Sequence, residues 1–442
     1  MFRKIETELK DWHRKKCRLP LILRGARQVG KSYVVQKIGN ELFENTLIID
    51  FELQPSFCQC FESLDPQKIV NRLELMTGAS INEGKTLLFL DEIQQCPRAI
   101  MALRYFKEKM PALHVIAAGS LLEFVMHETD FSFPVGRVQF LYMGPLSFSE
   151  FLLNAGEKKV LDFLDNVTVE EGIPSEIHNK LLELFRLYIV IGGMPATVHT
   201  YLETHSLSES HKIQLSLLQT YQNDFGKYAS KTEYKYLQLL FEKAPSLVAT
   251  HFKYVNVSNE IRSRELKVAL EQLSYAGLIN RVFATSASGV PLFAQIKETR
   301  FKILFLDIGL LHTSHKMNIS ELWEKDILQI HSGRLAEQVV GQQLLTLGDF
   351  YESPQLFFWK RESKSSSAEV DYLFTSGSAI IPIEVKAGKT GRLRSLQTFM
   401  KEKQSPLGVK ISMSPLLLDH SILSLPLYMI DQLPRFVSNL AF

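Results

Sequence analysis

Cysteine is scarce: Cys17, Cys58, Cys60 and Cys96 are the only 4 in 442 residues. They make no CxxC pair and have no His nearby at ligand spacing, so neither a disulfide framework nor a zinc site is supported; they read as free, partly buried thiols. Long apolar runs are missing too. No stretch reaches the roughly 18 apolar residues that a membrane-spanning helix needs, and the opening MFRKIETELKDW is interrupted by charge every few residues. A cytoplasmic protein with no membrane partner is expected. Nor does one charge dominate: 50 Lys+Arg against 48 Asp+Glu leaves +2, which excludes a protein that coats nucleic acid by its overall field. Any such contact must be local. Internal repeats and low-complexity sequence are absent apart from a Ser-rich run at 363–367, which reads as a loop. What is present is ordinary globular composition, 45% hydrophobic and 22% charged. At roughly 150 residues per domain, the length implies about three domains.

Residues 1–150 alternate short apolar runs, PLILRG, LIIDFEL, KTLLFLDE and HVIAAGS, with polar helical stretches. That alternation predicts an α/β fold with a parallel sheet. From 151 to 205 the period turns helical, FSEFLL and KLLELFRLYIV carrying apolar positions three and four apart before a Gly192-Gly193-Met194-Pro195 break; this predicts a helical lid. Residues 206–320 open with helices, end an amphipathic one at Gly277, and continue with two extended runs around a Ser/Gly turn. Helices followed by a hairpin predict a winged-helix-like part. The last part, 321–442, returns to mixed helix and strand.

Gly25-Ala26-Arg27-Gln28-Val29-Gly30-Lys31-Ser32 fits GxxxxGK[ST] between an apolar strand and a helical stretch. Glycines let backbone N–H groups wrap phosphates, Lys31 supplies a cation to the β and γ oxygens, and the Ser32 hydroxyl is a ligand for Mg2+. Downstream, Leu87-Leu88-Phe89-Leu90-Asp91-Glu92 is an apolar strand ending in two acids. Asp91 would hold Mg2+ through water, and Glu92 would orient and deprotonate the attacking water. Ser120, at the end of the next apolar strand, is the candidate sensor of the γ-phosphate. Arg137, in a Pro/Gly-punctuated loop, is a candidate guanidinium for the γ-phosphate of its own or a neighbouring subunit, so an oligomer is allowed.

Taken in order, GARQVGKS, LLFLDEIQQ, AAGSLLEF, PVGRV with PLSFSEFL, and IGGMP resemble the bacterial and archaeal AAA+ ATPases that carry a C-terminal domain of uncharacterised function. The resemblance spans nearly the whole chain. It implies ATP and Mg2+ as cofactors, with Lys31, Ser32, Asp91 and Glu92 in the nucleotide, metal and catalytic roles and Ser120 and Arg137 as accessory groups. It also implies a winged-helix-like middle and a restriction-endonuclease-like, PD-(D/E)XK end.

The end of the chain is read from spacing as well. Val370–Phe374 and Ile380–Lys386 are extended runs joined by Thr375-Ser376-Gly377-Ser378, so they should pair as a hairpin. A turn centred between Gly377 and Ser378 sets Asp371 opposite Glu384, with Lys386 on the same face. Two acids and a lysine so placed fit a D…ExK nuclease, the acids binding Mg2+ and Lys386 helping to position or deprotonate water. Glu337, in the helical run GRLAEQVVGQQLL, is the candidate third carboxylate. Arg262, Arg264 and Lys267, and Lys386, Lys389, Arg392 and Arg394, form two basic clusters suited to phosphate oxygens. The function expected is ATP hydrolysis coupled to DNA binding or processing. The alternative is a nucleotide-controlled switch that binds a protein partner and keeps the nuclease-like part as an inert scaffold.

Overall fold

Strand residues buried at every position pair on both sides, and this is how the first third of the chain folds. The computed structural model describes all residues except 121, 123–133, 228–230, 317–332, 363–367, 389–392 and 442. It divides into two units, which are described separately.

The first unit comprises Met1–Gly144 with Tyr275–Gly277 and Asp349–Ser353. Its elements are α1 (Ile5–Arg14), β1 (Leu21–Arg24), α2 (Lys31–Leu42), β2 (Asn45–Asp50), α3 (Pro66–Thr77), β3 (Thr86–Asp91), α4 (Pro97–Lys109), β4 (His114–Ala118) and β5 (Gln139–Tyr142). Five strands form one sheet in the order β2-β3-β4-β1-β5, every pair parallel. Every residue of β1, β3 and β4 is buried. The register brings the ends of β1 and β3 to the same sheet edge, where Gly25 and Glu92 follow. This is the expected α/β core.

In the second unit, helices precede the sheet. They are α5 (Phe148–Asn154), α6 (Lys158–Asn166), α7 (Ser175–Ile191), α8 (Pro195–Thr204), α9 (Leu207–Asp224), α10 (Lys231–Leu247) and α11 (Ser263–Tyr275). The Ser147 hydroxyl accepts from Glu150 N while the Glu150 carboxylate accepts from Ser147 N, a capping box that starts α5. Then come β6 (Ile279–Thr285), β7 (Ile296–Phe305), α12 (Ile308–Ser314), α13 (Gly333–Leu344), β8 (Leu356–Lys360), β9 (Glu369–Ser376), β10 (Ala379–Val385), α14 (Arg394–Lys403), β11 (Gly408–Ser412), β12 (Leu417–Asp419), β13 (Ile422–Pro426) and α15 (Leu433–Leu440).

The two runs around the Ser/Gly turn pair antiparallel as β6 and β7. They are not a separate wing: β6 also pairs parallel with β8, giving an 8-stranded mixed sheet, β12-β13-β11-β10-β9-β8-β6-β7. The boundary expected at 320 therefore divides one sheet, and that expected at 205 divides one unit. A boundary placed by composition misses a strand pairing that closes over some seventy residues of chain. The Ser-rich run at 363–367 lies outside the described residues.

Candidate functional site

Gly25 opens the phosphate loop at φ 146°, and a Cβ there would lie 2.0 Å from the Met143 carbonyl oxygen, so only glycine fits. Gln28 takes φ 63° and Gly30 φ 95°, curling the backbone before α2 starts at Lys31. Lys31 is buried, its Nζ donating to the carbonyls of Gly25 at 2.9 Å and Ala26 at 2.8 Å. Within the loop, Val29 and Ala26 are buried, whereas the Arg27 guanidinium turns to Glu52 at 2.6 Å. Arg3, which motif reading missed, holds the loop from the chain's start. Its Nη1 donates to Val29 O and its Nη2 to Gly144 O, each at 2.7 Å.

Beside the loop, Asp91 ends β3 and is 8% exposed. Burial raises its carboxyl pKa above the usual range, against a hydrogen bond from the Ser32 hydroxyl. Glu92 follows at φ 48°, a left-handed conformation that costs a non-glycine residue about 1 kcal/mol. Its Oε2 accepts from Gln94 Nε2 at 2.5 Å and from Ser120 Oγ at 3.5 Å. Ser32, Asp91, Glu92 and Ser120 are thus brought together, and Gln94 joins them unforeseen. Gly119 makes room for it, since a Cβ there would lie 2.4 Å from Gln94 Oε1. A hydroxyl beside a carboxylate is the hard oxygen set that Mg2+ takes, so these residues fit that ion.

Arg137 is not in this cluster. It precedes β5, whose Gln139 pairs with Leu21 at the start of β1, so it lies at the sheet edge opposite the phosphate loop. There its Nε meets Glu108 Oε1 at 3.1 Å, both side chains partly exposed. Service to its own nucleotide, one of the two roles expected of it, does not fit this placement.

Residues 18–152 match the AAA domain family. Two further stretches match families described as domains of unknown function, DUF8612 over 182–321 and DUF4143 over 332–428. No curated protein matches the chain. Among solved structures, the Walker-type ATPase PABY2304 of Pyrococcus abyssi is similar at 16% identity, over 71% of this chain and 95% of that one, with a TM-score of 0.45. The Aeropyrum pernix ORC1 protein, solved in complex with DNA, is similar at 10% identity over 72% of this chain and 93% of its own, TM-score 0.30. AMPPCP-bound DnaA from Aquifex aeolicus is similar at 15% identity over 62% and 89%, TM-score 0.25. The stretch that matches the AAA domain family thus carries the glycine-rich phosphate loop and the Asp91-Glu92 pair.

The second unit holds a distinct cluster of charge. β9 and β10 pair in the register the spacing sets, from Ala379↔Ser376 to Ile383↔Tyr372, so Asp371 and Glu384 come next as neighbours. Val385 N donates to Asp371 Oδ2 at 2.8 Å, and Lys386 Nζ meets Glu384 Oε1 at 2.5 Å. Glu337 arrives from α13, held by Tyr372 Oη donating to its carbonyl at 2.8 Å and by Gln338, which exchanges two bonds with the Phe305 backbone at 2.9 Å. The four expected residues do converge.

At their centre stands Lys302 of β7, which spacing gave no reason to suspect. Its Nζ lies 2.7 Å from Glu337 Oε1, 3.0 Å from Glu369 Oε1 and 3.8 Å from Asp371 Oδ1. Glu369 is held in turn by His251 Nε2 at 2.7 Å and Lys360 Nζ at 3.5 Å. Burial, then the neighbouring Asp371, pushes Glu337 up to about 8 and Glu384 up to about 7. Burial acts the same way on Glu369, but hydrogen bonds from His251 and Lys302 outweigh it and bring that acid to about 2. Among the described residues no set of three or more acids, histidines or cysteines is disposed around a free metal position. Of the expected Mg2+ site, Glu337 and Asp371 already face the Lys302 ammonium, while Glu384 is paired with Lys386 through Oε1 and keeps a buried Oε2 with no hydrogen-bond partner among the described residues, so the three acids do not fit a single Mg2+ position as they stand. Of the second basic cluster, Arg394 is exposed at the start of α14, while Lys389 and Arg392 lie outside the described residues.

Proposed function

We propose that the AAA domain binds ATP with Mg2+ and hydrolyses it, and that the second unit couples this cycle to DNA. One juxtaposition carries the first half: a glycine-bent loop with Lys31 inside it, facing Glu92 across Ser32 and Asp91. Lys31 would exchange its two loop carbonyls for phosphate oxygens. Mg2+, held by Ser32 and Asp91, would neutralise charge building on the phosphates. Glu92 would take the proton of the attacking water, with Gln94 and Ser120 fixing its carboxylate. Nucleotide binding and turnover measured separately test this. Lys31→Ala should lose binding, and Glu92→Gln should keep binding while turnover falls by roughly a hundredfold or more. Wild-type turnover in Glu92→Gln would refute the role of Glu92.

Coupling to DNA is supported by Arg262, Arg264 and Lys267, all exposed around the start of α11. DNA should stimulate ATP turnover, and the stimulation should fade as salt rises, because phosphate contacts release counterions. Lys302 favours a second reading, the protein-binding switch with a nuclease-like part that does not cut. Turnover indifferent to DNA would select it.

A further inference from the structure

A cluster of four buried acids needs its negative charge compensated, and protons on the acids, a metal ion or a cationic side chain can each supply part of that. Here the side chain is in place. Lys302 is 3% exposed, and its three N–H donors face Glu337, Glu369 and Asp371 at 2.7, 3.0 and 3.8 Å. The Phe358 ring closes the remaining side, its centroid 5.1 Å from Nζ. The position is built rather than incidental. β7, which carries Lys302, is tied to α13, which carries Glu337, through both amide atoms of Gln338 on Phe305. The far oxygen of Glu369 is engaged by His251 and lies within ion-pair distance of Lys360, and Asp371 Oδ2 is engaged by Val385 N, so each acid turns its inner oxygen to the ammonium.

A divalent ion binds carboxylate oxygens at roughly 2.0–2.6 Å. An ammonium hydrogen-bonded to Glu337 and paired with Glu369 and Asp371 occupies that position, and the two cations would repel strongly in a buried setting. Glu384, the remaining acid, is paired with Lys386 instead.

We propose that Lys302 is a built-in cation that takes the place of a divalent ion at this centre. The wild-type cluster therefore folds and persists without metal. Shortening Lys302 turns Glu337, Glu369 and Asp371 into a divalent-cation site. This inference does not depend on ATP hydrolysis, and failure of the ATPase assays leaves it untouched.

The test is Mn2+ titration of the full chain without nucleotide, by calorimetry and by the loss of the free-ion paramagnetic resonance signal, with thermal unfolding alongside. Wild type and Asp371→Asn should bind Mn2+ identically, and Mn2+ should not shift wild-type unfolding through this cluster. Lys302→Ala should gain about one further Mn2+ per chain, lose it again when combined with Asp371→Asn, and unfold at a higher temperature with Mn2+ than without. Lys302→Met, which keeps packing against Phe358, should behave likewise. A wild-type Mn2+ site abolished by Asp371→Asn overturns the proposal. So does a folded Lys302→Ala or Lys302→Met that gains no ion, or failure of both variants to fold even with Mn2+ present.

Discussion

His114 shows how far one side chain can carry a pH dependence. It sits on β4 at 4% exposure, against the rings of Trp12, His13 and Phe43 at centroid distances of 5.5, 5.1 and 4.7 Å. Burial, then the Arg18 guanidinium 3.1 Å from its Nδ1, brings its pKa down to about 4. A histidine depressed in the fold is neutral there, so the unfolded chain binds the extra proton first. Its contribution is complete above the ordinary value of about 6.5 and is lost as pH falls from there towards 4, up to roughly 3 kcal/mol. Replacing it by phenylalanine keeps the ring contacts and should flatten that part of the profile. Denaturation midpoints at pH 7, 5 and 4 check this: an equal acid loss in wild type and His114→Phe would refute it. Residues of this kind were not legible in the sequence. Lys31, Ser32, Asp91 and Glu92 were legible as motif residues that the fold would bring together, because the motifs set them at fixed offsets within single turns. Arg3, Gln94 and Lys302 were not, since each is an ordinary polar residue until the fold brings it to its partners.

Elements add what single residues lack, a rigid direction. Helix α1 follows Arg3 directly, and Glu6 in its first turn accepts from Arg3 N at 2.9 Å and from Lys37 Nζ of α2 at 2.8 Å. The start of the chain is thereby tied both to the phosphate loop and to the helix that the loop opens. Arg3 holds the backbone at Val29 O and Gly144 O, so its expected role is positioning the loop. Arg3→Ala should raise KM for ATP by roughly tenfold, about the free energy of one charged hydrogen bond, with kcat little changed. Arg3→Lys should recover only part of this, because one ammonium does not span both Val29 O and Gly144 O as a fork does. An equal fall in kcat with unchanged KM would show that Arg3 serves the chemical step instead. At this scale the sequence was a good guide to local pairings. The β9–β10 register followed from the symmetry of a four-residue turn. It was a poor guide to the β6–β8 pairing, because a parallel partner reached through a long crossover leaves no local mark.

For the molecule as a whole, Arg137 raises the question of assembly. From its level on the sheet to Gly25 runs the length of β1 and its flanks, roughly 15–20 Å at 3.3 Å per residue, more than an arginine side chain spans. Service to its own nucleotide does not fit that distance, and we propose that Arg137 instead reaches the nucleotide of a neighbouring copy. Its present partner, Glu108, is an exposed ion pair of the kind that holds weakly, so the guanidinium is available to a better anion. Arg137→Ala should then lower turnover by roughly a hundredfold or more at saturating ATP while nucleotide affinity stays near wild type, since a finger acts on charge that develops in the transition state. Mixing separates the two geometries. Lys31→Ala subunits lack a nucleotide but keep Arg137; Arg137→Ala subunits keep the nucleotide site. If the arginine acts across an interface, a mixture of the two inactive variants regains turnover, and the gain follows the concentration at which sedimentation shows assembly. A mixture as inactive as its parts removes the trans role, and an Arg137→Ala protein with wild-type turnover reduces the residue to a surface partner of Glu108.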